Sequence, residues 1–390
     1  MWLIGWFDKV KRGDYKESMI KVAIVGASGY AGCELVRLLS KHQNVTLTHL
    51  YVSQNSEDAN EEICALNGML SGLCNLKLEP LSYEHAATLT NEDADVIFMA
   101  TDHKVSHDLA PIFLDNGIVV IDLSGAFRIS DLDAFSQYYG FEFGDKQRSL
   151  MQERVYGLVD FIKAEDLQRA RLISMPGCYP TASELALKPL AEQNLLDTTM
   201  APVINAVSGV SGAGRKAKLT NSFCEVSLNA YGIFNHRHLI EIEEYVGTKV
   251  IFNPHLGDFK RGILATITAR LKKGVTTEQV NSAYAKAYPK CAPSAKHEKD
   301  HVATESLPTL VRVKSGTVKL QDVQNTPFCD LSFKLEPEQR QKLGSDNNEA
   351  QFGPYIVISS AIDNLLKGAA SQAVEARNIH FGLPRSRSLL

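Results

Sequence analysis

Three evenly spaced glycines, Gly26-x-x-Gly29-x-x-Gly32, constrain the fold of this chain more than any other feature. They follow a short apolar run at residues 21–25, which predicts a buried strand, and precede a helical pattern at residues 35–39. Glycine allows a tight turn and lets a pyrophosphate approach the amides at a helix N-terminus. An ordinary strand–turn–helix corner could carry such glycines, but this context is the one that a dinucleotide site requires. The predicted cofactor-binding residues here are Gly26, Ala27, Ser28, Gly29, Tyr30, Ala31 and Gly32.

Strand and helix patterns alternate through the first part of the chain. Apolar runs at residues 45–52, 95–100 and 118–122 predict strands, with helical patterns between them. This alternation predicts an α/β, doubly wound, Rossmann-type domain with a parallel sheet. Beyond about residue 180 the strands are longer and β-branched, with a helix predicted near 277–288, which predicts a second, α+β domain. Residues 362–374 form an amphipathic helical pattern.

The end of the second predicted strand bears on the choice of nicotinamide cofactor. NAD enzymes usually place an acidic residue there, which binds the ribose 2′-hydroxyl. This chain has Ser53-Gln54-Asn55-Ser56, with no acid before Glu57. Because neutral donors tolerate a 2′-phosphate that a carboxylate would repel, the sequence favours NADP, with Ser53 near the 2′-phosphate.

Cys178, in Pro176-Gly177-Cys178-Tyr179-Pro180-Thr181, is the strongest candidate for chemistry. It lies between a predicted strand at 170–174 and a helical pattern at 185–190. At a helix N-terminus the dipole and the unpaired amides stabilise a thiolate, which is the nucleophilic form of cysteine. A structural cysteine in a turn is the alternative, and the neighbouring nucleotide domain favours the nucleophile.

A thiol nucleophile needs a proton partner, and histidine suits that role near neutral pH. The sequence His236-Arg237-His238 is the densest imidazole cluster, with Glu241 and Glu243 following. Solvent-exposed histidines at a helix start are the alternative, and His255 is a second candidate. Spacing alone does not choose among the three.

Two further segments are candidates for ligand binding. Residues 208–215, Ser-Gly-Val-Ser-Gly-Ala-Gly-Arg, resemble a phosphate loop in composition but lack its GK[ST] ending, so we interpret them as a pocket lining. Arg128 follows a predicted strand at the carboxyl edge of the sheet, where such folds bind ligands. It could pair with a phosphate, or form a surface salt bridge.

Bulk composition excludes several other classes of protein. Lysine and arginine number 41 against 45 acidic residues, for a net charge of −4, which gives no reason to expect nucleic acid as a partner. No apolar run approaches the roughly 18 residues of a membrane span. The seven cysteines are scattered without a CxxC pair, which predicts no metal site and favours a reducing, cytoplasmic location. Residues 1–18 are interpreted as an extension outside the fold.

Together these motifs resemble the N-acetyl-γ-glutamyl-phosphate reductase family, which is related to aspartate-semialdehyde dehydrogenase. The resemblance runs from about Ile20 to Arg377. It depends on the glycine turn, residues 122–128 (DLSGAFR), the cysteine hexapeptide, residues 208–215, the HRH cluster and residues 363–370 (DNLLKGAA). Two positions depart from the family pattern: Leu239-Ile240-Glu241 lacks the usual proline, and Tyr156-Gly157-Leu158-Val159-Asp160 replaces YGLPE.

The resemblance implies NADPH-dependent reduction of N-acetyl-γ-glutamyl phosphate, in arginine biosynthesis, through a thioacyl group on Cys178. It implies Arg128 as the phosphate ligand and His238, then His236, as acid/base. Ser208, Gly209, Gly212 and Asn364 join the predicted cofactor-binding residues.

It also implies a homodimer or homotetramer. The implied domains are 19–177 plus about 355–385 for NADP, with a C-terminal helix returning to the first domain, and 178–354 for catalysis and oligomerisation. A reductase of aspartyl or aminoadipyl phosphate is the alternative among enzymes, and a non-catalytic nucleotide-binding regulator the alternative outside them.

Overall fold

The computed structural model describes residues 19–289, 307–341 and 352–390. The predicted extension at residues 1–18 lies outside these ranges. The described chain divides into two compact units. The first comprises residues 19–177, Leu307 and residues 369–390, and the second comprises residues 178–289, 308–341 and 352–368.

The first unit contains a seven-stranded sheet in the order β3-β2-β1-β4-β5-β7-β6. Its strands are β1 Ile20–Val25, β2 Val45–Ser53, β3 Leu78–Leu81, β4 Val96–Met99, β5 Val119–Asp122, β6 Val155–Tyr156 and β7 Leu172–Ser174. All six pairings are parallel. The strand order reverses between β1 and β4, which is the edge where doubly wound sheets bind ligands.

Helices connect these parallel strands: α1 Tyr30–Leu39, α2 Ile63–Leu66, α3 Tyr83–Thr88, α4 His103–Asp115, α5 Leu132–Tyr139, α6 Asp145–Glu153 and α7 Ala164–Arg169. Strands β4 and β5 are buried along their whole length. Continuous burial is expected of central parallel strands that are covered on both faces, and it explains the uninterrupted apolar runs in the sequence.

The second unit contains a mixed sheet in the order β12-β13-β14-β11-β8-β10-β9. Its strands are β8 Val203–Gly209, β9 Asn229–Ala230, β10 Ile251–Gly257, β11 Ile263–Arg270, β12 Val311–Val313, β13 Cys329–Leu335 and β14 Tyr355–Ile362. Its helices are α8 Cys178–Glu192, α9 His238–Val246, α10 Thr277–Ala287 and α11 Glu338–Gln341. The predicted start of α10 is confirmed by a capping box between Thr276 and Gln279.

The mixed sheet has one covered face and one open face. Helix α8 packs on β11 and β14, and buried residues such as Ile204, Ile267 and Ile358 form the covered face. A row of paired residues on the other face, which includes Ile251 and Val357, stays partly or fully exposed. This alternation confirms the predicted sheet with one solvated face.

The C-terminal segment divides between the two units. Strand β14 pairs antiparallel with β11 and β13, so residues 355–368 belong to the second unit and only residues 369–390 to the first. The sequence analysis places the whole segment 355–385 in the first domain. The structure differs because β14 belongs to the sheet of the second unit, through its pairing with β11 and β13. A π-helical turn, Leu366–Ala370, leads into helix α12, Ser371–His380. Helix α12 packs on α1 and α7, which confirms a terminal helix in the nucleotide-binding unit.

Residues 381–390 follow α12 as a tail that the sequence did not predict to be ordered. Arg385 forms ion pairs with Glu375 and Asp160, and both carboxylates are almost completely buried. The amide of Asn378 donates to the backbone carbonyls of Arg385 and Arg387. Both these polar contacts and buried apolar side chains, Phe381, Leu383 and Leu389, fix the tail to the first unit.

Candidate active site

The glycine turn between β1 and α1 has the close packing that a dinucleotide site requires. Gly26 has φ +84°, and a Cβ placed there would lie 2.3 Å from the carbonyl oxygen of Ala100. A Cβ at Gly32 would lie 2.2 Å from the carbonyl oxygen of Gly26. Gly29 caps α1 without a side-chain hydrogen bond. The first N–H groups of the helix therefore face the turn without a capping side chain, as an anion site requires.

Strand β2 fixes the turn beside the predicted 2′-phosphate residue. The backbone N–H groups of Gly26 and Ala27 both donate to the carbonyl of Tyr51, at 2.9 and 3.1 Å. Ser53 follows two residues later as the exposed last residue of β2. The residues of this edge thus fit a phosphorylated dinucleotide, because they combine free helix amides with a neutral strand end.

Cys178 is the first residue of α8 and is half-buried. It packs closely against Gly368 of the same unit, since a Cβ at Gly368 would lie 2.9 Å from the Cβ of Cys178. Glycine at 368 is what allows this approach. The predicted position of the cysteine at a helix start is therefore confirmed, while its role as nucleophile stays a prediction.

Two tyrosines that the sequence analysis did not single out lie beside Cys178. The hydroxyl of Tyr231 donates to the hydroxyl of Tyr179 at 3.3 Å, and Tyr179 donates to the carbonyl of His255 at 2.9 Å. Burial is the main cause that raises the pKa of both phenols above its ordinary value, and the nearby Cys178 raises it further. Both tyrosines are therefore neutral hydrogen-bonding groups near neutral pH. The Nδ1 atom of His255 lies 3.0 Å from the carbonyl oxygen of Asn253 on its own strand.

The two histidines of the HRH cluster join these tyrosines in different ways. The ring of His236 meets the rings of Tyr179, Tyr231 and Phe252 edge-on at 5.5–5.7 Å. The Nδ1 atom of His236 accepts the backbone N–H of His238 at 3.1 Å. Burial, then the charge of Arg237, lowers the pKa of His236 to about 4. His236 is thus a neutral ring with one nitrogen already engaged, whereas His238 begins α9 and is buried.

Four predicted pocket residues of the second unit lie together. Asn364 accepts the N–H of Gly262 through Oδ1 at 2.6 Å and donates to the hydroxyl of Ser211 at 3.0 Å. A Cβ at Gly212 would lie 3.1 Å from the hydroxyl oxygen of Ser208 and 3.8 Å from the amide nitrogen of Asn364. At Gly209 a Cβ would collide with the backbone of residues 259–261. Ser208 also bonds with Tyr179, which connects this loop to the tyrosine network.

Arg128 is buried, and its guanidinium donates to backbone carbonyls, unlike a solvent-exposed arginine that is available to bind phosphate. Its Nε atom donates to the carbonyl of Met175 and Nη2 to the carbonyl of Leu123, both at 2.7 Å. It is 4% exposed, so the alternative of a surface salt bridge is wrong. The guanidinium fixes the backbone three residues before Cys178.

Asp122 supports the loop that carries Arg128. Its carboxylate accepts the backbone N–H and the hydroxyl of Ser124, both at 2.9 Å. Complete burial raises the pKa of Asp122, and the bonds from Ser124 oppose that shift. The sequence places Asp122 at a strand end and in the DLSGAFR motif, but its burial is not visible in one sequence.

The described residues contain no group of three or more histidine, cysteine, aspartate or glutamate side chains arranged to bind a metal. Six cysteines are described, and all are free thiols: Cys33, Cys64, Cys74, Cys178, Cys224 and Cys329. Among the helices in the described ranges, none has the length and apolar character needed to cross a membrane.

Comparison with protein families defines the class of this chain. A family model for the NAD-binding domain of semialdehyde dehydrogenase matches residues 21–170, and a model for the semialdehyde dehydrogenase dimerisation domain matches residues 178–345. The fold, the glycine turn and these matches define an NADP-dependent oxidoreductase of the semialdehyde dehydrogenase class. The dimerisation domain also fits an oligomeric protein.

Relatives narrow this class. N-acetyl-γ-glutamyl-phosphate reductase from Vibrio parahaemolyticus is 46% identical over 372 residues, which cover 95% of this chain and 100% of that protein. The Pasteurella multocida enzyme of the same name is 49% identical over 373 residues, with the same coverage. The chain belongs to the N-acetyl-γ-glutamyl-phosphate reductase family.

Solved structures agree on the fold. Aspartate semialdehyde dehydrogenase II of Vibrio cholerae, complexed with ASA, aligns with a TM-score of 0.62 at 14% identity. The alignment covers 93% of this chain and 98% of the Vibrio cholerae chain. The Candida albicans aspartate semialdehyde dehydrogenase with NADP has a TM-score of 0.61 at 14% identity, covering 93% and 100%. These likenesses confirm the predicted α/β fold.

Proposed function

We propose that the chain reduces N-acetyl-γ-glutamyl phosphate to N-acetylglutamate 5-semialdehyde, in arginine biosynthesis, through a thioester on Cys178. The observation that carries this proposal is the placement of Cys178. A half-buried thiol opens a 15-residue helix beside neutral tyrosine and histidine rings, in a chain of this reductase family.

In the first step the sulfur of Cys178 attacks the acyl carbon. The carbon–oxygen bond to phosphate breaks, and phosphate leaves with the electron pair. The proton of the thiol passes to the leaving phosphate. Backbone N–H groups at the start of α8 favour the thiolate and the developing negative charge.

His238 is the group that we propose moves this proton. His236 is a poor choice, because its Nδ1 already accepts the N–H of His238 and burial holds its pKa at about 4. In this assignment His236 positions His238, and the ring of His236 lies 4.8 Å from the ring of His238. This proposal keeps the preference implied by the family resemblance, with His238 ahead of His236 as the acid/base.

The residues that hold NADP in this proposal are the glycine turn, Ser53, Ser208, Gly209, Gly212 and Asn364. When bound, NADPH supplies a hydride to the thioester carbon. The carbon–sulfur bond then breaks, the aldehyde leaves and Cys178 is released as a thiolate. In this proposal His238 then passes a proton taken up from solvent to the thiolate of Cys178.

Arg128 remains our proposed phosphate ligand, with a second role that its contacts support. Its bonds to Met175 and Leu123 hold the turn that precedes the nucleophile. We also propose a homodimer or homotetramer and a cytoplasmic, reducing location. The free thiols support the latter.

The experiment that tests the proposal compares wild type with Cys178→Ser. Wild type incubated with N-acetyl-γ-glutamyl phosphate and no NADPH should gain an acyl mass on the peptide containing Cys178. The serine variant should lose at least about 10³-fold in turnover, because an unactivated hydroxyl is a far weaker nucleophile. Cys33→Ser is a matched control, since Cys33 is also on the first helical turn after a strand–turn corner.

The substrate is tested in the reverse direction with NADP and phosphate. N-acetylglutamate semialdehyde should be oxidised with a much higher kcat/KM than aspartate semialdehyde. A preference for aspartate or aminoadipate semialdehyde would reject the assigned substrate, and normal turnover by Cys178→Ser would reject the covalent step.

A further inference from the structure

One completely buried carboxylate of the second unit accepts hydrogen bonds from three separate segments of the chain. Asp363 follows β14 and is 0% exposed. Its Oδ1 atom accepts the backbone N–H groups of Leu365 at 2.9 Å and Leu366 at 3.1 Å. Its Oδ2 atom accepts Nε–H of Arg261 at 2.6 Å and the backbone N–H of Asn325 at 2.7 Å. Both oxygen atoms therefore face donors, which suits an ionised carboxylate because it only accepts.

Stability alone does not explain a buried ion pair of this kind. The side chain of Arg261 is 17% exposed, whereas that of Asp363 is withdrawn from water completely. Desolvation offsets much of the attraction in such a pair, and apolar residues of similar volume often give equal stability. What the charged pair adds is direction, because four donors must meet two oxygen atoms at fixed positions. The pair therefore determines the conformation of the segments that it joins.

The arginine side of this cluster supports the loop that is predicted to bind the cofactor. Arg261 lies in the segment 259–262, and three backbone carbonyls of this segment accept the N–H groups of residues 209–211 at 2.9–3.1 Å. Asn364, the neighbour of Asp363 in sequence, accepts a backbone N–H of the same segment at 2.6 Å. Through Arg261, the carboxylate therefore holds the segment on which the predicted cofactor loop rests.

The other side of the cluster supports the turn that packs on the candidate nucleophile. The bonds from Leu365 and Leu366 to the carboxylate start this turn, as aspartate often does. The backbone carbonyl of Asp363 then accepts the N–H of Gly368 at 2.9 Å. A Cβ at Gly368 would lie 3.3 Å from that carbonyl oxygen and 2.9 Å from the Cβ of Cys178. Asp363 thus fixes the residue against which Cys178 packs.

We propose that Asp363 is a positioning residue for both partners in hydride transfer. Through Arg261 it holds the cofactor loop at residues 208–212, and through Gly368 it holds Cys178. This inference rests on the proposed function, because it takes Cys178 as the nucleophile and the loop as part of the NADP site. One carboxylate then keeps the thioester sulfur and the cofactor loop in a fixed relation, which alignment for hydride transfer requires.

Asp363→Asn tests this role, since it keeps the shape of the side chain and removes its charge. The amide nitrogen must face one pair of donors, and repulsion between donors displaces the side chain from the other pair as well. We expect the dissociation constant of NADP to rise about 10-fold and kcat in the reverse direction to fall about 10-fold, with an unchanged KM for the semialdehyde. Calorimetric titration and steady-state kinetics measure these quantities.

Asp330→Asn is the matched control. Asp330 is also 0% exposed, pairs with Ala361 of β14 in the same sheet, and accepts Nε–H of Arg312 at 2.6 Å. Both variants should lower the melting temperature, because each removes the charge of a buried ion pair. Only Asp363→Asn should change the NADP dissociation constant and kcat. Equal changes of these two quantities in both variants would overturn the proposal, since Asp363 would then be a structural residue.

A double-mutant cycle with Gly368→Ala tests the link to Cys178. If Asp363 acts on Cys178 through Gly368, the two substitutions disturb the same contact. The double variant should then lose about 10-fold in kcat, and not the roughly 100-fold product of two independent losses. Losses that multiply would overturn this link.

Arg261→Gln extends the test to a milder change, which keeps the proposal testable if Asp363→Asn fails to fold. Asp363 retains three backbone donors in this variant. The NADP dissociation constant should rise and kcat should fall, each at least about 3-fold. An unchanged dissociation constant would overturn the link to the cofactor loop, and an unchanged kcat the link to the nucleophile.

Failure of this inference and failure of the proposed function are distinguishable. NADP binding is measured without substrate, and the kinetics use whichever semialdehyde the wild type oxidises fastest. An error in the assigned substrate therefore leaves the test intact. Loss of NADP affinity in Asp363→Asn, together with normal turnover by Cys178→Ser, would reject the covalent chemistry while keeping the role of Asp363 in the cofactor site.

Discussion

Two strand-to-helix corners carry the proposed chemistry, and their construction differs. The corner at Gly26–Gly32 is held by close contacts between backbone atoms. A Cβ added to either Gly26 or Gly32 would lie within 2.3 Å of a backbone carbonyl oxygen. The corner at Met175–Cys178 is held by side chains and by a neighbouring turn. Arg128 fixes the carbonyl of Met175, and Gly368 packs against Cys178.

This difference shows which kind of site a sequence reveals. A backbone corner needs glycines at fixed spacing, and these are visible in the chain. When residues distant in sequence hold a corner, as Arg128 and Gly368 do here, the sequence reveals only the residue at the corner itself, Cys178.

Gly32→Ala should disrupt the first corner. Its Cβ would meet the carbonyl oxygen of Gly26 at 2.2 Å and the Cα of Ala27 at 2.8 Å, both backbone atoms that cannot rotate away. We expect the free energy of unfolding to fall by about 3 kcal/mol and NADP affinity by at least about 100-fold. Thermal melting and calorimetric titration with NADP measure the two effects.

Gly29→Ala separates stability from binding at the same corner. Its Cβ would lie 3.4 Å from the carbonyl oxygen of Gly26, an ordinary contact, and its φ is −72°. Stability should change by less than about 0.5 kcal/mol. NADP affinity should still fall about 10-fold, because the methyl group faces the pyrophosphate. Equal stability losses in both variants would contradict the packing argument.

Arg128→Lys tests the second corner. Lysine cannot keep both bonds to Met175 and Leu123, so stability should fall by about 2 kcal/mol and kcat by about 10-fold or more. In the reverse direction the KM for phosphate should rise about 10-fold, since lysine lacks the paired donors. Arg154→Lys is the control. Like Arg128, Arg154 is an arginine that donates to a backbone carbonyl, here that of Arg128, and it also donates to the hydroxyl of Ser130. A lowered kcat with an unchanged KM for phosphate would leave Arg128 with a positioning role alone.

Gly368→Ala should disturb the nucleophile with a smaller effect. The added Cβ would lie 2.9 Å from the Cβ of Cys178 and 3.1 Å from Cδ1 of Ile362, a side chain that can yield. We expect kcat to fall about 10-fold with unchanged KM, since a displaced nucleophile loses alignment rather than binding. Gly316→Ala is the control, because no atom lies within 4 Å of its Cβ. Identical kinetics of the two variants would show that Gly368 does not position Cys178.

The parts of the molecule that the sequence predicts correctly are those with a local pattern. The parallel sheet follows from apolar runs, and the cysteine at a helix start follows from the residues around it. Tyr231 and the clamp of Arg128 escaped detection because their partners lie 52 and 47 residues away. The strand β14 was included in the wrong unit for a related reason, since pairing with β11 and β13 is a long-range choice.

The smallest predicted effect concerns the contact between the end of α1 and helix α12 in the first unit. His42 follows α1 and is buried, with Nε2 at 3.0 Å from Oδ1 of Asn378 and Nδ1 accepting the N–H of Asn44 at 3.1 Å. Burial, then the charge of Arg377, lowers the pKa of His42 from 6.5 to about 4. Between these values the unfolded chain binds more protons than the folded one, so stability falls as the pH drops from 6.5 towards 4.

His42→Asn should flatten this dependence without abolishing it, because burial also lowers the pKa of His380 to about 4. The melting temperature of wild type should fall more between pH 7.5 and pH 5 than that of the variant, by about 2–4 °C. His85→Asn, at an exposed position on α3, should keep the wild-type slope. Parallel slopes for wild type and His42→Asn would mean that His42 accepts a proton in the folded state. A protonated His42 would then be tolerated beside Arg377. The hydrogen bond between a neutral His42 and Asn378 would not be what holds the C-terminal end of α1 to α12.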